Sequence, residues 1–171
     1  FRQPEQRLIS GFYNKGDHHS WDLLWGEPKD LVEYALSTHG AAVKMLTRDG
    51  GHIDPTPPSK EETALAVQRL REGFAFVGLT EQQELSICLL HAMFGGECER
   101  HEFLQTHPGT RHRSIPYDTS LLEGFRDHAD GAVYDEATRI FNENLQVYNV
   151  SASSCEPCFE RAGLRDRRSD P

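Results

Sequence analysis

Nowhere does this 171-residue chain have an apolar run near the 18 or so residues of a membrane-spanning helix. An anchor or leader in preceding sequence stays open, and no membrane contact is expected of these residues themselves. Basic residues are scarce, with 18 Lys and Arg against 27 Asp and Glu, a formal charge of −9 and a pI near 5.4. That balance disfavours a nucleic-acid partner, which needs basic surface, and argues against a densely sulfated polyanion as acceptor. A mononucleotide remains compatible, because it needs only a local basic pocket. No Gly-rich stretch leading into Lys-Ser/Thr occurs, so no P-loop-like phosphate cradle lies in the chain. Internal repeats are lacking too. Apolar residues make up 37% of the chain, which fits one polar-surfaced domain of ample core size.

What is present begins at the first residues. In Arg2-Gln3-Pro4-Glu5-Gln6-Arg7-Leu8-Ile9-Ser10, a proline suits the first turn of a helix over 4–14. Leu8, Ile9, Phe12 and Tyr13 share one side of that helix, and Ser10 turns away. Phe1 reads as the end of a buried strand, which puts Arg2 at a strand end beside a helix N-terminus. Such a terminus favours an anion through its free N–H groups and dipole. A guanidinium fork matches phosphate geometry, and a hydroxyl adds one more donor. Arg2 and Ser10 are therefore a candidate phosphate site.

Further on, Pro28 suits the first turn of a helix carrying Leu31, Val32, Ala35 and Leu36, with Gly40 as its C-cap. Residues 49–58 form a loop, and Ser59-x-x-Glu62 is a capping box opening a helix that ends at Gly73. Residues 74–79 read as a short buried strand. Thr80-x-x-Gln83 reads as another capping box, before a helix whose Leu85, Cys88, Leu89, Ala92 and Met93 share a face. Leu121, Leu122 and Phe125 mark a helix, Ala137 to Tyr148 carry a last one, and 151–171 reads as a disordered tail. Mostly helical, with one or two strands, the chain looks like the back part of a parallel-sheet fold.

The pattern Arg-x-Pro-x-x-Arg-x-x-Ser resembles the 3′-phosphate-binding motif of sulfotransferases that use 3′-phosphoadenosine-5′-phosphosulfate (PAPS). It is most similar to the carbohydrate, Golgi-type branch (heparan sulfate 2-O-sulfotransferase-like), where Arg-Asp-Pro is the usual opening and Gln3 here replaces the Asp. Three further segments resemble that family in order. They are Lys44-Met45-Leu46-Thr47, Phe76-Val77-Gly78-Leu79-Thr80-Glu81, and Asp130 with Tyr134, Ala137 and Phe141. The resemblance implies an α/β, P-loop-like three-layer fold, of which residues 1–150 are an incomplete, mostly helical C-terminal part. It implies PAPS as sulfuryl donor, a carbohydrate acceptor, a Golgi location and no metal. Arg2 and Ser10 take the 3′-phosphate roles, and a late basic loop with Arg111, Arg113 and Ser114 adds contacts to the nucleotide. The phosphosulfate loop and catalytic base belong upstream of these segments, so the catalytic residues are unassigned and the fragment alone is expected to be inactive.

Other readings stay open from the residues themselves. A nucleotide kinase or other P-loop phosphotransferase shares the architecture and differs in its phosphate loop. A non-enzymatic helical module would use Cys155-x-x-Cys158 as a zinc half-site or redox pair. The favoured reading of that motif is an unpaired tail element or a small lumenal disulfide, with Cys88 packing as a free thiol. His18, His19 and His52 have no metal-type spacing, Trp21 and Trp25 suit a core, and Arg7 suits a salt bridge.

Overall fold

The computed structural model describes residues 1–13, 30–51, 54, 56–104 and 118–164. The described residues are mostly helical, with no strand among them. The chain forms two compact units. One comprises Phe1, Ala75–Thr106 and Ala137–Pro171, and the other Arg2–Phe74 and His107–Glu136.

In the second unit, α1 (Pro4–Tyr13) starts at the expected proline. Gln3 supplies the N-cap, since its Oε1 accepts the Gln6 N–H at 2.7 Å. This is the role Asp commonly fills at that position. Leu8 and Ile9 are buried with Leu31, Ala35 and Leu122, flanked by Phe12, Tyr34 and Phe125. The next helix, α2 (Leu31–Thr38), is capped by the Asp30 side chain, which accepts the Glu33 N–H. Pro28 lies outside the described residues. Gly40 does not end α2 as the sequence suggested. It starts α3 (Ala41–Thr47), in a left-handed conformation with φ +65°. A side chain there would be strained, and its Cβ would come within 2.4 Å of Pro58 Cγ.

The capping box at Ser59 and Glu62 forms as read, opening α4 (Lys60–Gly73). Arg48 reaches across from the end of α3, its Nε 2.6 Å and its Nη2 2.9 Å from the Glu62 carboxylate. Those bonds, followed by that from the Ser59 N–H, pull the Glu62 carboxyl from an ordinary 4.5 to about 2. A carboxyl depressed by folding stabilises the fold above its unfolded value and loses that contribution as pH falls through its folded value. The expected result is a stability that declines between pH 4.5 and about 2, and more shallowly in Glu62→Gln. Acid titrations of the thermal midpoint of both proteins check it, and parallel curves would count against the assignment.

In the first unit, residues 74–79 do not form the expected strand. The backbone is extended at Phe74 and Leu79 and bends at Ala75, with Val77 and Leu79 buried. Phe1 donates its nitrogen to Gly78 O at 2.6 Å, and its carbonyl accepts the Thr80 N–H at 2.8 Å. Bonds to residues two apart on the partner have the offset of a parallel ladder. Thr80 Oγ1 also donates to Phe1 O, so the expected capping box gives way to a short 3-10 turn over Thr80–Gln82. Helix α5 (Gln83–Phe94) follows and ends at Gly95. On its inner face Ser86 is satisfied by both main-chain groups of Leu79. The helix expected around Leu122 is only a 3-10 turn over Thr119–Leu122. Helix α6 (His128–Val147) covers the helix anticipated at Ala137 to Tyr148 and starts earlier, at His128.

Residues 151–164, expected as a disordered tail, are folded. They carry α7 (Glu156–Arg161), with Phe159 buried and edge-on to Phe103. The reason is covalent. Cys155 is bonded to Cys88 and Cys158 to Cys98, so each cysteine of the C-x-x-C joins a different partner. There is no free thiol, which overturns the free-thiol reading of Cys88 and removes the zinc half-site and the pair within the motif. Residues 165–171 lie outside the described residues.

Candidate functional site

Arg2 stands two residues before α1 and is half-buried, while Ser10 lies in the second turn of that helix and is half-exposed. Both have some accessible surface; Arg2 precedes the end of the ten-residue helix whose dipole favours an anion, while Ser10 lies beyond its first turn. Arg111, Arg113 and Ser114 lie outside the described residues, as do His18, His19, His52, Trp21 and Trp25.

Behind α1 the structure builds a charged network that the sequence reading missed. Arg7 forms the salt bridge expected of it, with Nη2 3.1 Å from Asp130 Oδ2 and 3.6 Å from Asp127 Oδ2. Asp130, buried at 3% exposure, also accepts the N–H groups of Ala42 and Val43, each at 3.0 Å. Those are free amides of the first turn of α3, whose N-cap Gly40 has no side chain to offer. A carboxylate from α6 thus caps α3 from outside. Asp127 takes the Gly40 N–H at 2.9 Å and the Asp130 N–H at 3.1 Å. Its own N–H goes to buried Glu5 in the first turn of α1. One hub therefore joins Arg7 and Asp130, which belong to two of the four segments singled out in the sequence, to the first turn of the helix that carries a third, Lys44–Thr47.

Burial, and after it the charge of Asp130, raises the Asp127 carboxyl above its ordinary value. The sign is opposite to that of Glu62. Its contribution is fully present below pH 3.8 and is lost as pH rises through the folded value. Lys44 is buried too, and its Nζ donates to Asp54 O at 3.1 Å. Desolvation lowers its pKa first, helped by Arg48 and opposed by Asp54, Asp130 and Asp127. These groups hold one another and explain the fold around α1. In the other unit, His91 and Glu102 meet at 2.9 Å and brace the turn after Cys98. Among the described residues no group of His, Cys, Asp and Glu is arranged to hold a metal ion, and no helix is long and apolar enough to cross a membrane.

Comparison with known proteins returns no matching family model, no matching curated protein and no matching solved structure. The functional reading therefore rests on the residues and their geometry.

Proposed function

We propose that the chain is the 3′-phosphate-binding part of a PAPS-dependent sulfotransferase that acts on a carbohydrate hydroxyl. The observation that carries the reading is Arg-x-Pro-x-x-Arg-x-x-Ser at 2–10, with Arg2 leading directly into α1. The Asp130 hub supports it by joining two of the four family-like segments to the helix that carries a third. The parallel offset of Phe1 against Gly78 and Thr80 supports a parallel-sheet fold, of the α/β three-layer kind. The reaction is in-line transfer of the sulfuryl group from PAPS to an acceptor oxygen, leaving 3′,5′-adenosine bisphosphate. In this reading Arg2 and Ser10 select the cofactor by its 3′-phosphate, and the loop with Arg111, Arg113 and Ser114 closes over the nucleotide. In this reading the phosphosulfate loop and the base would lie outside these 171 residues, which contain no Gly-rich stretch leading into Lys-Ser/Thr. A lumenal, Golgi-type location is supported by the two disulfides, since such bonds persist in oxidising compartments.

The test is calorimetric titration of the parent protein that carries the phosphosulfate loop. It should bind 3′,5′-adenosine bisphosphate well above AMP. Arg2→Ala should lose about 2 kcal/mol of the bisphosphate affinity, roughly thirtyfold in Kd, as a charge-assisted contact is lost. Equal affinity for the two nucleotides would sink the assignment.

A further inference from the structure

Of the four asparagines, only Asn149 is followed by the pattern Asn-x-Ser with x other than proline, as Asn149-Val150-Ser151. That triplet is the acceptor signal for N-linked glycosylation of proteins in the secretory pathway, where it works from surface loops. Here it occupies the turn between α6 and the disulfide-held α7. Asn149 is exposed and adopts φ +53°. Its N–H goes to Gln146 O and that of Val150 to Leu145 O, the pair of bonds that closes a helix in a Schellman motif. Its carbonyl accepts from Ser154 Oγ at 2.9 Å. The main chain of Asn149 is committed to the turn, while its side-chain amide makes no hydrogen bond among the described residues. The left-handed position does not by itself call for asparagine, since Gly163 fills the same position after α7. Beside it, Val147 and Tyr148 leave apolar surface exposed at 70% and 40%, surface that a bulky, solubilising glycan would cover.

We infer that Asn149 is an N-glycosylation site, modified from a lipid-diphosphate-linked oligosaccharide. In the transfer, Asn149 Nδ2 bonds to the anomeric carbon of the first sugar. The bond from that carbon to the diphosphate oxygen breaks, the lipid diphosphate leaves with the electron pair, and the amide nitrogen gives up a proton. This rests on the lumenal part of the proposed function and on nothing else in it. In the folded turn the Ser151 hydroxyl is tied to the Ser154 N–H at 3.1 Å and to Ser153 Oγ at 3.0 Å. The modification therefore precedes closure of the turn.

The test expresses the protein through the secretory pathway of a eukaryotic cell. Gel mobility is read before and after peptide-N-glycosidase, the peptide containing Asn149 is read by mass, and cysteine state is read by alkylation of the same sample. The expected result is one mobility step lost on digestion, retained in Ser151→Thr and lost in Asn149→Asp. The latter is chosen because Asp also tolerates the left-handed region. Oxidised cysteines with an unmodified Asn149 peptide would overturn the glycan and leave the lumenal reading standing. Free thiols with an unmodified peptide would overturn both.

Discussion

Removing both bridges, by Ser substitution of all four cysteines, is expected to cost the disulfide-bearing unit about 7 kcal/mol, about 4 of it the chain-entropy value for the longer loop closed first. The two bridges are not independent. The loops they close span 67 and 60 residues and overlap along most of their length. With one bridge formed, the second closes a circuit of only about 15 residues, through 88–98 and 155–158, and adds about 3 kcal/mol. Together they approach the whole stability of an ordinary domain. The effect should be concentrated at α7, a six-residue helix far too short to persist alone. Its other ties include the buried Phe159 and an exposed Arg161–Glu97 ion pair, and such a pair is worth little. Denaturant unfolding with and without reductant measures the loss, and amide exchange locates it. Identical midpoints in both conditions would refute the account.

The same bridges explain why the end of the chain was illegible from its composition. Residues 151–171 are Ser-, Arg- and Asp-rich with few apolar side chains, and such a segment ordinarily cannot offset the entropy of ordering. Cross-linking lowers that entropy cost from outside the segment, and no count of apolar residues registers it. Local signals were read well where the partners are near in sequence. Pro4, the box at Ser59 and Glu62, and the stop at Gly95 each depend on a handful of residues. Readings failed where a distant group intervened. Phe1 took the Thr80 hydroxyl that a local box would have used, and carboxylates some 87 residues away took the amides around Gly40. At the candidate site, Arg2 and Ser10 were legible as a pattern. The network behind them was not, because Asp127 and Asp130 meet Arg7 only in the folded chain. The Asn149 triplet was fully legible, yet its position in an exposed turn came only from the structure.

Asp130 is where the second large effect is expected. Its carboxylate replaces the missing cap of α3, accepting from Ala42 and Val43, and holds Arg7 of α1 at 3.1 Å. Asp130→Ala would leave two first-turn amides and a half-buried guanidinium without this partner. Breaking a buried charged network from one side typically costs about 3–5 kcal/mol, because the remaining groups stay desolvated. Asp130→Asn separates shape from charge. It keeps one acceptor oxygen of the right size, loses the second, and weakens the attraction to Arg7 and to the positive end of α3. It also relieves Asp127 of a like charge, the second cause of that residue's raised pKa. The net loss should be smaller, about 1–3 kcal/mol, the range for a buried group left partly unsatisfied. Urea unfolding of the two variants, compared at equal slopes, measures both values. The order matters more than either magnitude. An alanine variant as stable as the asparagine variant would mean that the α3 amides find water or another acceptor, and that the Asp130 carboxylate is not what caps α3. An alanine variant clearly below it would establish that a carboxylate from α6 caps α3 and holds it to α1, the helix that bears Ser10 and follows directly on Arg2.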